Sequence, residues 1–201
     1  MMQRESENIT GVILAGGENK RFGGIVKSNI MVGDSSILSR MIQTISEIFD
    51  EIIIVTNTPD EFQSFRQYKM VSDQFLKVGP LGGIHTAIKN ASKESVFVFA
   101  GDMPFIDKDL IKSQIEYFNL NLAEVVIPRI NDKDEPLHAI YGCSVFEKLD
   151  NYLSSNNKYA IRDFLEIINV NYMKLPDTEN TRKAFTNINT PGEAEAVSYG
   201  I

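Results

Sequence analysis

The chain has 201 residues, of which 43% are hydrophobic and 23% are charged, and its formal net charge is -7. This composition is typical of a globular protein with one well-buried domain, and the acidic balance excludes a general binder of nucleic acid, which needs a basic face. A single cysteine, Cys143, excludes an internal disulfide. Because the N-terminus is polar and no apolar segment reaches membrane-spanning length, we expect no signal peptide, no membrane anchor and a cytoplasmic location.

The first sixty residues predict a strand–helix–strand unit. A short β-branched run at 12–15 is typical of a buried strand and leads directly into Gly16 and Gly17. Ser35 or Ser36 can cap a helix whose apolar residues recur at helical spacing over 37–49. A second buried strand is predicted at 51–56, and strands that are joined through a helix in this way run parallel.

The remaining chain continues to alternate between strands and helices. The patterns predict a short helix at 60–67, a strand at 69–71, a rigid turn at 79–83 before a helix at 84–92, a strand at 96–100, a helix at 107–118, a strand at 124–130, an extended segment at 136–141, helices at 144–153 and 159–168, a strand at 170–175 and a short helix after Pro191. We find no repeat, low-complexity tract or linker. The sequence therefore predicts one α/β domain over residues 1–201.

The loop after the first strand combines glycine with positive charge. Gly16 and Gly17 let the backbone pass close to another group, and Lys20, Arg21 and Lys27 follow at short spacing. Bare backbone N–H groups and cations together can hold a polyphosphate. A plain tight turn is the alternative, since neither the Walker spacing nor G-x-G-x-x-G is present. The physical argument by itself indicates an anion-binding loop.

Polar side chains follow three further predicted strands. Asn57 follows the second strand, Asp73 the short third strand, and Asp102 the apolar strand at 96–100. In an open parallel sheet, ligands bind at the carboxyl ends of the strands. Asp102 can be a turn-forming residue, or it can be a ligand of Mg²⁺, a hard cation that takes carboxylate and phosphate oxygens.

Five motifs in order along the chain carry a resemblance to a known family. They are Leu14-Ala15-Gly16-Gly17-x-x-x-Arg21-x-Gly23 with Lys27 downstream, Gly79-Pro80-Leu81-Gly82-Gly83, Gly101-Asp102-Met103-Pro104, Glu135-Pro136-Leu137-His138-Ala139-Ile140-Tyr141 and Phe185-Thr186-Asn187-Ile188-Asn189-Thr190-Pro191. With these motifs the chain resembles small nucleotidyltransferases, and among them the molybdenum cofactor guanylyltransferases. The resemblance implies a three-layer, Rossmann-like nucleotidyltransferase fold with a mostly parallel central sheet. It also implies a nucleotide-binding half over about 9–106 and an acceptor-binding half over about 107–201.

The resemblance further implies a reaction: GMP passes from GTP to the terminal phosphate of molybdopterin or Mo-molybdopterin, and pyrophosphate leaves. It implies Mg²⁺ on Asp102, with Mn²⁺ as an alternative, and molybdoenzyme maturation proteins as partners. Catalysis would fall to Arg21, Lys27 and Asp102. GTP would be bound by Leu14, Ala15, Gly16, Gly17, Lys27, Asn57, Asp73 and Asp102, and the acceptor by Arg21, Gly82, Glu135, Asn187 and Asn189.

The chain departs from the family pattern at Val26, and more mildly at Phe22, where Met is common, and at Gly82, where Ala is common. Val26 precedes Lys27 where the family usually has Asp, so the orientation of the lysine is open. A cytidylyltransferase acting on the same cofactor, a sugar-phosphate nucleotidyltransferase and a non-catalytic nucleotide-binding maturation partner remain alternatives. His138 lies in an extended segment, where we expect a partly exposed structural residue rather than a catalytic one.

Overall fold

One mixed sheet organises the part of the chain that the computed structural model describes, which is residues 6–16, 27–121, 123–155 and 159–198. The strands are β1 (Ile9–Leu14), β2 (Met31–Val32), β3 (Ser35–Ser36), β4 (Ile52–Val55), β5 (Lys69–Val71), β6 (Ser95–Ala100), β7 (Val125–Ile130), β8 (Lys133–Asp134), β9 (His138–Gly142) and β10 (Val170–Leu175). The helices are α1 (Ile37–Ile45), α2 (Pro80–Asn90), α3 (Lys108–Leu120), α4 (Phe146–Ser155), α5 (Ile161–Leu165), α6 (Glu179–Ala184) and α7 (Pro191–Ser198). Short 3-10 turns occupy Lys27–Asn29, Pro59–Phe65 and Cys143–Val145.

The sheet runs in the order β10–β7–β9–β6–β1–β4–β5, with β8 paired to β7 and β2–β3 forming a separate small hairpin. Strands β6, β1, β4 and β5 are parallel to one another, whereas β9 is antiparallel to both of its neighbours. Leu14 at the end of β1 lies opposite Val55 on one side and Ala100 on the other. The carboxyl ends of these strands therefore meet at one edge, as expected for a mostly parallel sheet.

Helices cover both faces of the sheet, because side chains along each buried strand alternate between the faces. Ile13 points into a cluster with residues of α1, α3 and α7, while Val12 points into a second cluster with residues of α2, α4 and α5. The predicted three-layer arrangement is confirmed. Among the described residues, no helix is both long enough and apolar enough to cross a membrane.

Helix α1 begins where its capping signal predicts. Ser36 is the N-cap, and its Oγ accepts a hydrogen bond from the backbone N–H of Ser39 at 3.2 Å. The side chain thus satisfies one of the donors that the first turn of a helix leaves free.

Helix α2 begins at Pro80, four residues earlier than predicted, so the prediction of a separate turn over 79–83 is wrong. Gly79 has φ 67° and ends the preceding loop, and Pro80 occupies the first turn, where its fixed φ suits a helix. Gly82 lies inside the helix, where a Cβ would stand 2.7 Å from the carbonyl oxygen of Phe75. Glycine at this position serves close packing of the helix against the loop.

His138 is fully buried, so the expectation of partial exposure is wrong. Its ring meets the rings of Phe97, Phe99 and Phe185 edge-on, with centroids 4.9–5.3 Å apart. Neither ring nitrogen has a hydrogen-bond partner among the described residues. Burial lowers the pKa of His138 from 6.5 to about 4, against smaller opposing effects of the residue's own backbone and of the Asp107 charge. The ring is neutral near pH 7.

Candidate active site

A cleft of about 1150 Å³ opens at the carboxyl ends of the parallel strands. Its walls are built from the ends of β1, β4 and β6, the loop before α2, and the connection from β8 to β9. The structure brings many of the predicted site residues together in its lining, namely Leu14, Ala15, Gly16, Lys27, Asn57, Asp73, Asp102, Glu135 and Asn187. Residues Gly17 and Arg21 lie outside the described residues.

Of the predicted residues that the structure describes, two do not line this cleft. Gly82 is buried within α2, one position from Gly83, which does line it. Asn189 is exposed and reaches the site through its contact with Lys27. The part that Gly82 plays in the structure is to let α2 pack against the carbonyl of Phe75.

Glycine lets the strand ends approach one another closely at the cleft. The backbone N–H of Gly101 donates to the carbonyl of Leu14 at 3.0 Å. A Cβ on Gly101 would stand 2.6 Å from that carbonyl oxygen and 2.7 Å from Oγ of Ser28. A Cβ on Gly16 would stand 3.0 Å from Cα of Thr56. Only a residue without a side chain fits at Gly101. The close contact of Gly101 with Leu14 fixes the position of the Asp102 backbone beside the end of β1.

Asp102 forms an ion pair in the cleft. Nζ of Lys27 lies 3.4 Å from Oδ2 of Asp102, and the two side chains are 17% and 22% exposed. The same Nζ donates a hydrogen bond to Oδ1 of Asn189. The backbone N–H of Ile188 donates to the carbonyl of Asp102 at 2.8 Å. The C-terminal segment is thereby joined to the turn that carries the carboxylate.

Asn57 and Asp73 form a reciprocal pair on the neighbouring strand ends. Nδ2 of Asn57 donates to Oδ2 of Asp73 at 3.1 Å, and the backbone N–H of Asp73 donates to Oδ1 of Asn57 at 2.9 Å. Partial burial raises the pKa of Asp73, and the hydrogen bond from Asn57 offsets part of this rise. Oδ1 of Asp73 has no partner among the described residues. The pair fixes an amide and a carboxylate beside the cleft.

Glu135 and Asn187 also line the cleft. Glu135 is largely buried, its backbone N–H donates to the carbonyl of Pro128 at 3.1 Å, and its Oε1 lies 3.0 Å from Nζ of Lys133. Asn187 is exposed and lies in the segment that precedes α7.

The structure also places residues at the cleft that sequence reasoning missed. Phe75 lines it, and its ring meets that of His85 edge-on with centroids 4.9 Å apart. His85 is fully buried, stacks on Phe146 and has Nε2 2.9 Å from Oδ1 of Asp150. In the sequence, the signal that could have identified His85 was a histidine in a mostly apolar stretch directly after the Gly79–Gly83 motif. The buried His85 ring packs against Phe75 and so helps to hold this cleft residue in place.

Asp102 suits a divalent cation that takes one ligand from the protein and most of its other ligands from water and a bound nucleotide. Among the described residues there is no group of three or more metal-ligating side chains. A single carboxylate that faces a cleft suits Mg²⁺, which keeps several waters and takes the phosphates of a nucleotide as its other ligands.

The chain is similar to known proteins over most of its length. Residues 11–172 match the family described as "MobA-like NTP transferase domain". A protein of Natranaerobius thermophilus named "Probable molybdenum cofactor guanylyltransferase" is 36% identical, covering 94% of this chain and 95% of its own length. The molybdenum cofactor guanylyltransferase of Desulfosudis oleivorans is 31% identical, covering 96% of each chain.

A solved structure shows the same fold. It is the crystal structure of molybdopterin-guanine dinucleotide biosynthesis protein A from Archaeoglobus fulgidus, with a TM-score of 0.78 and 23% identity over 95% of this chain and 97% of that one. The family match over most of the chain, together with relatives at 31–36% identity, shows that this chain belongs to the MobA-like NTP transferases and is a nucleotidyltransferase.

Proposed function

We propose that this enzyme transfers GMP from GTP to the terminal phosphate of molybdopterin or Mo-molybdopterin. The products are the guanine dinucleotide form of the cofactor and pyrophosphate. The support from comparison is that relatives covering nearly the whole chain are named molybdenum cofactor guanylyltransferase. The support from the site is the placement of Lys27 and Asp102 at the carboxyl ends of parallel strands, in a cleft lined by residues of both predicted halves.

The Lys27–Asp102 pair is the observation that carries the proposal. A phosphate monoester is already largely ionised near neutral pH, so the attacking oxygen needs no general base. The obstacle is to bring two anions together. A cation about 4 Å from a phosphate charge contributes about 4 kcal/mol of attraction at an effective dielectric constant of about 20, before desolvation. Lys27 would bind the triphosphate and stabilise charge as pyrophosphate leaves.

Asp102 would hold Mg²⁺ or Mn²⁺. When bound, the cation would neutralise phosphate charge and polarise the α-phosphorus. Asp102 suits this role because Gly101, which has no side chain, lets the turn that carries Asp102 lie directly against the end of β1. Leu14, Ala15 and Gly16 would present backbone to the nucleotide, as they line the cleft beside it.

The two substrates would occupy different parts of the cleft. Asn57 and Asp73 would contact GTP, because their paired amide and carboxylate offer both donors and acceptors. Glu135 and Asn187, which line the cleft, would contact the acceptor, together with Asn189, which reaches the site through Lys27. Attack by the acceptor phosphate would then take place next to Lys27 and Asp102.

The test is a comparison of nucleotides with the full chain. GTP, CTP, ATP and UTP are each incubated with Mg²⁺ and with molybdopterin or Mo-molybdopterin, and pyrophosphate release is measured. We expect the fastest release with GTP and none without acceptor. Equal or faster release with CTP would move the assignment to a cytidylyltransferase. No release with any nucleotide, while nucleotide still binds, would favour a non-catalytic partner in molybdoenzyme maturation.

A further inference from the structure

Lys27 is held by partners from two distant parts of the chain. Its ammonium contacts the carboxylate of Asp102, at the end of β6, and the amide oxygen of Asn189, which precedes α7. With the side chain only 17% exposed, the ammonium needs such partners in place of water.

Asn189 sits on a fixed backbone. Its own N–H donates to Oε2 of Glu193 at 2.7 Å, and the N–H of Glu193 donates to Oγ1 of Thr190 at 3.2 Å, which together cap α7. The preceding residue, Ile188, is buried and bonded to the carbonyl of Asp102. The amide oxygen is therefore a preplaced acceptor for the lysine.

The two partners of Lys27 differ in charge, and this difference matters once nucleotide binds. A cation on Asp102 would compete with Lys27 for the carboxylate. A neutral amide attracts no cation strongly and does not repel phosphate, so Asn189 can keep its hydrogen bond while the triphosphate binds the same ammonium. Nδ2 of Asn189 could at the same time donate to an oxygen of the acceptor substrate.

We propose that Asn189 is a positioning residue for Lys27, so that a segment of the acceptor half sets the affinity of the nucleotide half for GTP. This inference rests on the proposed function, because it takes GTP as the ligand of Lys27. It assigns Asn189 an effect on nucleotide binding in the absence of any acceptor, which a residue that only contacts the acceptor would not have.

The experiment is a double-mutant cycle read out as the dissociation constant of Mg²⁺–GTP, measured by calorimetry on the full chain without acceptor. Asn189→Ala should weaken GTP binding about tenfold, the lower range for loss of a hydrogen bond to a charged group. In a Lys27→Ala background the same substitution should change it by no more than about twofold. The matched control is Thr186→Ala in the same segment, because Oγ1 of Thr186 donates to the carbonyl of Arg182 at 3.1 Å and the residue neither lines the cleft nor contacts Lys27.

The outcomes separate the inference from the proposed function. An equal effect of Asn189→Ala in both backgrounds, or no effect on GTP binding at all, overturns the inference while leaving the reaction intact. If the wild-type protein binds CTP instead of GTP, the proposed base is wrong and the same cycle is run with CTP. If it binds no nucleotide, both proposals fail. Melting temperatures are recorded throughout, and Asn189→Leu replaces Asn189→Ala if the latter is destabilised.

Discussion

At the scale of single residues, Asp102 separates a structural from a chemical explanation. Its carboxylate lies beside Lys27, while its carbonyl accepts from Ile188 through the backbone alone. Replacing the side chain by an amide therefore leaves the backbone contact in place. The fold and the chemistry can be tested independently at this residue.

We expect Asp102→Asn to abolish Mg²⁺-dependent pyrophosphate release with little change in melting temperature. A neutral amide oxygen holds Mg²⁺ far less well than a carboxylate does among phosphates. The matched control is Asp107→Asn, because Asp107 caps α3 by accepting from Leu110 at 2.7 Å and Asn caps equally well. A folded Asp102→Asn enzyme with near-normal turnover would refute the metal site.

His138 makes a second prediction at this scale, on stability against pH. Its folded pKa of about 4 lies below the unfolded value of 6.5, so the unfolded chain binds the extra proton between these values. Stability is therefore lost as the pH falls through this window, by up to about 3 kcal/mol.

His138→Phe should remove that part of the acid sensitivity, since Phe suits the surrounding rings and does not titrate. The measurement is urea unfolding of both proteins from pH 7 to pH 4. The difference in unfolding free energy between them should grow as the pH falls. Parallel curves for the two proteins would show that His138 does not titrate as its burial indicates.

At the scale of elements, the ends of β1 and β6 form the most constrained contact of the site. Gly101→Ala would place a Cβ 2.6 Å from the carbonyl oxygen of Leu14. Because that neighbour is backbone, it cannot move aside cheaply. We expect a loss of about 1–3 kcal/mol in unfolding free energy, the usual cost of overpacking, together with reduced turnover.

The control for this variant is Gly192→Ala. Gly192 lies in α7 with nothing within 4 Å of the added Cβ. Alanine favours a helix more than glycine does, so stability should hold or rise by up to about 1 kcal/mol. Urea unfolding and pyrophosphate release are measured for both variants. If Gly101→Ala behaves like Gly192→Ala, the strand ends are less tightly packed than the structure indicates.

At the scale of the whole molecule, the sheet interleaves the two predicted halves. Strand β9, from the acceptor half, pairs with β6 of the nucleotide half, and the ring of His138 packs on those of Phe97 and Phe99. The backbone bond from Ile188 to Asp102 adds a further link at the cleft. The core therefore continues across the predicted boundary between the two halves near residue 106.

We expect a fragment of residues 1–106 to be unable to fold alone. It would lack β9, leaving one edge of β6 unpaired and the rings of Phe97 and Phe99 without their contact with His138. Circular dichroism with urea titration of the fragment should show no cooperative transition, whereas the full chain should show a single one. A cooperative transition in the fragment would make the nucleotide half an independent domain and refute the single-domain prediction.

Local sequence patterns were enough to predict most elements and the edge that carries the site. The β-branched runs gave β1, β4 and β6 within a few residues, and the strand at Lys69–Val71 and that at Val170–Leu175 were predicted with the observed bounds. Strand–helix alternation was enough to predict parallel pairing, and hence that Asp73 and Asp102 would lie on one rim. The motifs supplied the family.

Tertiary structure alone decided the features that depend on distant residues. The antiparallel insertion of β9 between β6 and β7 has no local signal, because an extended segment reads the same in either direction. The burial of His138 depends on Phe185, which lies far along the chain. The contact of Lys27 with Asn189 joins residues 162 positions apart. Propensity and periodicity report a residue's neighbours in sequence, whereas these features arise from packing between elements that only the folded chain brings together.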